Sequence, residues 1–159
     1  MDWGTIDYRQ LKKLQTKLQK LASADLEQFC VEASKELAGR LLTLVIPRTP
    51  VGQYPKSTGK TGGTLRRGWT GKKGGNNAIE YAKSLPVHKQ GENYYNYYIE
   101  VINPVYYASY VEFGHRTPGG NGWVPGQYFL TLSEQELESM APAWIERKLQ
   151  KLLMEAFNV

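Results

Sequence analysis

The sequence predicts an α+β domain in which a long N-terminal helix precedes an antiparallel sheet of three to four strands, with a C-terminal helix packed on the sheet. Two observations carry this prediction. Apolar residues recur at three- and four-residue spacing within residues 5–46 and again within residues 128–157. Between these segments, residues 65–103 hold apolar runs broken by glycine- and proline-containing turns. A chain of 159 residues is expected to fold as a single domain, residues 1–159.

The helical segment 5–46 is expected to be either one long kinked helix or two helices. Its first stripe spans Leu11 to Leu21 and is too short for a coiled coil, so we expect an amphipathic helix that lies on its own sheet or on a neighbouring subunit. The helical phase of the apolar residues changes at residues 22–25, where Ser23 or Asp25 would cap a second helix. The stripe that follows, which Pro47 ends, comprises Leu26, Phe29, Cys30, Ala33, Leu37, Leu41, Leu44 and Val45.

The middle of the chain is expected to be loop and strands. Residues 47–64 are rich in glycine, proline and small polar residues, which predicts a basic loop. Strands are expected at residues 65–73, 78–87 and 94–103, all within the strand region 65–103. Residues 105–127 should hold a short helix up to Phe113 and then a glycine-rich loop. The C-terminal segment 128–157 is expected to be helical with a break near Pro142.

Positive charge is concentrated in residues 48–79, which contain no acidic residue. The remaining 13 basic residues of the chain are outnumbered by its 15 acidic residues. A segment of this kind is expected to meet a polyanion or an acidic neighbour. Its basic residues are Arg48, Lys56, Lys60, Arg66, Arg67, Lys72 and Lys73.

Catalytic and metal sites are not expected, and we therefore predict that the protein is not an enzyme and has no cofactor. The sequence STGKT at residues 57–61 ends like a phosphate-binding loop, but Tyr54 stands where that motif requires glycine. The two histidines, His88 and His115, lie far apart and form no zinc spacing with Cys30. Glu112 and His115 are close in sequence, but a helix-end charge beside a turn histidine explains them better than a catalytic pair.

Nucleic-acid binding is the stronger alternative, because basic residues are interleaved with Tyr54, Trp69 and Tyr81. No standard DNA-reading motif accompanies them, so a channel through which DNA passes fits the charge better than base readout. The first eleven residues have neither a basic region nor an apolar run, so we expect no signal peptide. No stretch approaches the ~20 apolar residues of a membrane span, and no membrane partner is expected. The single cysteine, Cys30, is expected to be a small buried hydrophobic residue.

Three motifs resemble signatures of the tail-component family of tailed phages. RTPV at residues 48–51 followed by GTLRRGW at residues 63–69 resembles the first signature, although about ten additional residues separate its two halves here. YASYVEFGH at residues 107–115 resembles the second, and PGQYFL at residues 125–130 is similar to the family's entry into its last helix. Order and spacing agree across residues 25–157.

The resemblance implies a non-enzymatic virion protein of the neck, assembled in the bacterial cytoplasm. Such a protein forms a homo-oligomeric ring, with six copies expected, between the connector or stopper and the tail tube or terminator. DNA passing through the lumen is a further, non-specific contact. Alternatives are a tail terminator ring that caps the tube and a monomeric DNA-binding accessory protein.

Residues expected at a subunit interface or at the lumen come from two segments, residues 48–73 and residues 106–115. Arg67 would share a strand face with Leu65 and Trp69, a position that suits an arginine at an interface. Tyr107 and Phe113 are equally compatible with core packing. The full set comprises Arg48, Lys56, Lys60, Arg66, Arg67, Trp69, Lys72, Lys73, Tyr106, Tyr107, Tyr110, Glu112, Phe113 and His115.

Overall fold

The structure is a computed structural model. It describes residues 12, 13, 15, 16, 19, 25–71, 77–91 and 96–157. The leucines of the predicted first stripe, from Leu11 to Leu21, lie outside the described residues. From residue 25 onward, five helices and four strands follow one another in the described chain. They are α1 (Leu26–Arg48), α2 (Thr64–Gly68), α3 (Ala78–Ser84), β1 (His88–Gln90), β2 (Asn96–Tyr98), α4 (Ala108–Phe113), β3 (Gly114–Arg116), β4 (Trp123–Pro125) and α5 (Phe129–Phe157). A 3-10 turn, Lys56–Thr58, lies in the loop between α1 and α2.

The predicted α+β architecture, with a long N-terminal helix, antiparallel strands and a C-terminal helix, is confirmed. The strands form two separate hairpins, β1–β2 and β3–β4, in place of one sheet of three to four strands. In the first hairpin His88 pairs with Tyr98, and in the second Gly114 pairs with Pro125. Helix therefore supplies most of the packing surface.

Two segments expected to be strands are helices. Leu65 and Trp69 lie four residues apart, a spacing that places both on one face of α2, and both are buried there. In α3, the side chain of Asn77 accepts a hydrogen bond from the amide of Glu80 and caps the helix. The expected strand 94–103 is reduced to Asn96–Tyr98 among its described residues.

The core is built around α1. Ala33 and Val45 of the predicted stripe are buried, but between them Ala38 and Leu42 are buried in place of Leu37 and Leu41, which are half-buried. Leu26 is exposed. Gly39 faces α3, and a Cβ atom there would make an ordinary van der Waals contact, 3.5 Å from the Cβ of Ala82. Cys30 is half-buried, and burial, followed by the charge of Glu27, raises the pKa of its thiol.

The C-terminal helix packs mainly against α1. Lys148 of α5 donates to Glu36 of α1 at 2.9 Å. The cationic groups of Arg40 and Lys148 lie 5.0 and 5.1 Å from the ring centre of Trp144. The predicted break is absent: α5 continues through Pro142, whose ring lies at an exposed position. In the described part of the chain, no helix is long and apolar enough to cross a membrane.

Candidate assembly surface

The first signature forms a joint at the C-terminal end of α1, centred on Thr49. The Thr49 hydroxyl donates to the carbonyl of Val45 and accepts from Nε1 of Trp69, both at 2.7 Å. Thr49 has no exposed surface, and Trp69 is 2% exposed. Trp69 also meets Phe129 edge to face, with ring centroids 6.2 Å apart. The joint therefore connects α1, α2 and the start of α5 inside the subunit.

Arg66 completes this joint by binding the last carbonyl groups of α1. Its Nε and Nη2 donate to the carbonyl of Thr49 at 3.0 and 2.7 Å, and Nη2 also reaches the carbonyl of Pro47 at 3.1 Å. Because the C-terminal end of a helix carries partial negative charge, an arginine is favourable here. Arg66 thus has an intramolecular role that the expected interface did not include.

Arg48 links the same end of α1 to α5. It forms an ion pair with Glu136 and donates to the hydroxyl of Ser133, which is fully buried. The charge of Arg48 is therefore compensated within the subunit.

The amide of Asn103 holds α2 from the opposite side. Its Nδ2 donates to the carbonyl of Leu65 at 2.8 Å, and its Oδ1 accepts from the amide of Val105 at 3.2 Å. A Cβ atom at position 68 would collide with this Oδ1, which explains the glycine between the arginine pair and Trp69.

The second signature forms another joint, in which Glu112 of α4 caps α5. One carboxylate oxygen accepts the amide of Leu130 at 2.9 Å, and the other accepts the amide and hydroxyl of Thr131 at 2.9 and 2.7 Å. Glu112 is only 3% exposed. A carboxylate at a helix N-terminus satisfies free amide groups and complements the helix dipole. This burial places Glu112 inside the subunit, away from the expected interface.

Two glycines allow the backbones of this joint to meet. Gly114 has φ +88, which a residue with a side chain rarely adopts. A Cβ atom at Gly126 would collide with the carbonyl of Glu112. The backbone is held there by hydrogen bonds from the amides of Gln127 and Tyr128 to α4. The second and third motifs therefore form one packed unit.

Helix α4 has apolar side chains on both its inner and its outer side. Tyr107 and Val111 pack against the core. On the outer side, Tyr106, Tyr110 and Phe113 recur at four- and three-residue spacing and are 87%, 56% and 58% exposed. We call these three side chains the outer stripe. The outer stripe is therefore an exposed apolar patch of the subunit.

Two more exposed aromatic side chains adjoin α4. Trp123 of β4 is 60% exposed, and its ring lies over Gly114 at the end of α4. Tyr128, 47% exposed, has positive φ and follows the hairpin directly. His115 lies in β3, with its ring 6.0 Å from that of Tyr110 and its Nδ1 3.4 Å from the carbonyl of Tyr110.

The loop before α2 presents the remaining positive charge. Lys56 and Lys60 are exposed, and Lys60 lies 6.0 Å from the ring of Tyr54. Arg67 is exposed and donates to the carbonyl of Gly62 at 3.1 Å. Across residues 25–71, 77–91 and 96–157, none of these three cations forms an ion pair. Lys72 and Lys73 lie outside the described residues.

The structure divides the expected interface residues into two groups. Arg48, Arg66, Trp69, Tyr107 and Glu112 serve contacts within the subunit, whereas the outer stripe, Lys56, Lys60 and Arg67 face solvent. The sequence did not predict that Thr49, Asn103 or Ser133 would form hydrogen bonds with residues of the first signature. The only signal for Thr49 was its place at the end of a helix, where a hydroxyl often binds the preceding turn.

Among the described residues, no three His, Cys, Asp or Glu side chains come together as a metal site would require. The Glu112 carboxylate is directed to α5, so the Glu112–His115 pairing considered above is absent. The exposed chemistry of this surface is aromatic and cationic, which suits a contact with another macromolecule.

Comparisons with known proteins agree with this description. No curated protein and no solved structure shows significant similarity to the chain. The profile of the family described as "Bacteriophage HK97-gp10, putative tail-component" matches residues 12–114, which is well over half of the chain. The match includes the first signature and the second signature up to Gly114. The chain therefore belongs to the HK97-gp10-like family of phage tail components.

Proposed function

We propose that this tail component is a non-enzymatic structural protein that forms a ring of six copies at the head–tail junction of a phage or phage-like particle. The observation that carries the proposal is the outer stripe, an exposed row of Tyr106, Tyr110 and Phe113 on a helix whose other side is already packed. Aromatic side chains are enriched in the buried centres of protein interfaces. A contact with a neighbouring subunit would cover the stripe.

A closed ring requires two different surfaces on each subunit, because every copy binds one neighbour with each of its two sides. The two internal joints suit such a role, since they connect α2 to α1 and α4 to α5. The family assignment supports a location in the virion. The connector or stopper would lie on one side of the ring, and the tail tube or terminator on the other.

DNA would be a passing neighbour in this arrangement. Lys56, Lys60 and Arg67 could meet phosphates in the lumen, but three cations release few counterions, so the affinity for DNA should be weak. A monomer with tight and strongly salt-dependent DNA binding would favour the DNA-binding accessory protein instead.

The proposal is tested by deleting the gene from the particle-producing strain and examining lysates by electron microscopy. A neck protein predicts separate heads and tails of normal length, and expression of the wild-type chain should rejoin them. Tails of excessive length would favour a terminator, because an uncapped tube continues to polymerise. Normal joined particles would contradict both roles. Native mass spectrometry of the purified protein measures the copy number.

A matched pair of variants tests the outer stripe in the same strain. The triple variant Y106S, Y110S, F113S should fail to rejoin heads and tails while its circular dichroism spectrum stays native, because these side chains lie outside the core. The control variant I79S, L132S, M140S removes three other exposed apolar side chains and should complement normally. Equal complementation by both variants would remove the support that the stripe gives to the proposal.

A further inference from the structure

The outer stripe has a basic surrounding. Arg116 of β3 is exposed beside the aromatic residues, and Glu112, the acidic residue of residues 101–128, is buried. The loop that carries Lys56 and Lys60 borders a groove of about 300 Å3, whose other wall includes Tyr107, Val111 and Gln127. The inner side of α4 therefore borders the basic loop, and the outer side of α4 carries the outer stripe. We call the outer stripe and the basic loop together the basic-aromatic face.

The aromatic residues alone do not complete an interface. Five side chains that are about half exposed or more would bury on the order of 600 Å2, since a fully buried aromatic side chain covers about 150–250 Å2. A stable complex buries about 800 Å2 on each partner. The remaining area must come from the polar and cationic residues around the stripe, which favours a partner with an acidic surface.

Helix α5 carries an acidic surface on the same chain. Glu134, Glu138 and Glu146 are exposed and recur at four- and eight-residue spacing, which aligns them along one ridge of the helix. They span about 18 Å. Residues 129–146 contain no lysine or arginine, and within the described residues none of the three glutamates forms an ion pair. Like charges four residues apart destabilise a helix, and no ion pair among the described residues offsets the repulsion along this acidic ridge.

We propose that the basic-aromatic face of one subunit binds the acidic ridge of a second copy of the same chain. The contact is head to tail, because the two surfaces consist of different residues, and repetition of such a contact closes a ring. Lys56, Lys60 and Arg67 lie opposite the glutamates of the neighbour, and the outer stripe is covered by the same contact. The inference rests on the proposed ring and specifies which surfaces of the subunits meet.

Reciprocal charge reversal tests this contact. In the variant K56E/K60E both surfaces are acidic, and in E134K/E138K both are basic. Sedimentation velocity of the full chain should show self-association of each variant weakened at least about tenfold, because like charges would face each other at every contact. An equimolar mixture should associate within about threefold of wild type, since alternating copies restore opposite charges at every contact.

Controls separate the position of the charge from its amount. The variants K83E/K151E and E80K/E155K make the same changes in net charge at exposed positions outside both surfaces and should associate like wild type. Wild-type association should weaken at least about tenfold between 50 and 500 mM salt, given interfacial charges of this kind. Circular dichroism melts of all variants verify the fold, and the single variants K60E and E138K replace a double variant that unfolds.

The outcomes distinguish this inference from the proposed function. The inference would be overturned if either charge-reversed variant associates like wild type, if wild-type association does not change with salt, or if the equimolar mixture fails to associate. Each of these results would leave a ring protein with other contact surfaces. A wild-type chain that stays monomeric at every concentration would overturn the inference together with the proposed ring.

Discussion

Glu112 and Thr131 are joined by two hydrogen bonds, one to the amide and one to the hydroxyl of Thr131, at 2.9 and 2.7 Å. The other oxygen of the same carboxylate accepts the amide of Leu130. An acidic residue from the second motif thus caps the helix that the third motif begins. In this family member the glutamate of the second signature holds the aromatic helix α4 at a fixed position on α5.

Loss of this cap should destabilise the fold. We expect E112A to lower the free energy of unfolding by about 2–3 kcal/mol, because two helix amides lose their acceptor in a buried place. E112Q keeps the shape and one acceptor oxygen, so its cost should be smaller, about 1–2 kcal/mol. Urea denaturation of the purified variants measures both values.

The matched control for this prediction is E155A, which removes an exposed glutamate of α5 outside the acidic ridge and should change stability by no more than about 0.5 kcal/mol. If E112A and E155A unfold at the same urea concentration, the cap contributes nothing to stability.

The sequence predicted the ends of the fold better than its middle. Long apolar periodicity is a strong signal, so the helices at both ends were identified, although Pro142 suggested a break that α5 does not have. Leu65 and Trp69 lie an even number of residues apart, which fits one face of a strand as well as one face of a helix. The cap of α3 could have been recognised from Asn77, but its neighbouring glycines suggested a turn.

The candidate surface was predicted in part, for a similar reason. The sequence could not separate exposed from buried aromatic residues, because Tyr107 and Phe113 were equally compatible with an interface and with the core. In the structure Tyr107 packs against the core, whereas Phe113 is exposed. The sequence could not show that Arg66 is bound within the subunit whereas Arg67 is exposed. The binding of Arg66 depends on carbonyl groups at the end of α1 that lie 17 and 19 residues earlier. Charge alone therefore overstated the number of free cations in residues 48–67.

The bond between Trp69 and Thr49 should be measurable as a coupling energy. We expect W69F to cost about 1–2 kcal/mol, and T49V about 1–3 kcal/mol because it leaves the indole N–H buried without a partner. The double variant should be less destabilised than the sum of the two, by about 1 kcal/mol. Urea denaturation of the four proteins gives the cycle, and strict additivity would show that the hydrogen bond carries no coupling.

The two neighbouring arginines of α2 should differ in their effect on stability. R66A should lower the free energy of unfolding by about 1–2 kcal/mol, because the last carbonyl groups of α1 lose a charged donor. R67A should stay within about 0.5 kcal/mol of wild type, since Arg67 is exposed and binds only its own loop.

Thermal denaturation of the single variants, followed by circular dichroism, checks this difference. R66K serves as the conservative control, because a lysine keeps the charge but cannot make the same bidentate contact with the Thr49 carbonyl. Equal losses for R66A and R67A would contradict the assignment of Arg66 to the end of α1.

The ion pairs of Glu36 should make stability depend on pH at acidic values. Burial alone would raise the pKa of Glu36, but hydrogen bonds from Lys148 and Arg40 outweigh it, and the pKa is lowered. A carboxylate whose pKa is lower in the folded than in the unfolded state stabilises the fold fully above its unfolded pKa, about 4.3. This contribution is lost as the pH falls through the folded pKa.

The stability difference between wild type and E36Q should therefore be constant from pH 6 to 8 and shrink progressively below about pH 4.3. Urea denaturation at each pH measures this stability difference. In the wild-type background, K148Q should remove part of the stability that E36Q removes. In the E36Q background K148Q should remove little, because Lys148 and Glu36 form one ion pair. A difference between wild type and E36Q that stays unchanged down to pH 3 would show that the Lys148 and Arg40 contacts do not hold the charged form of Glu36.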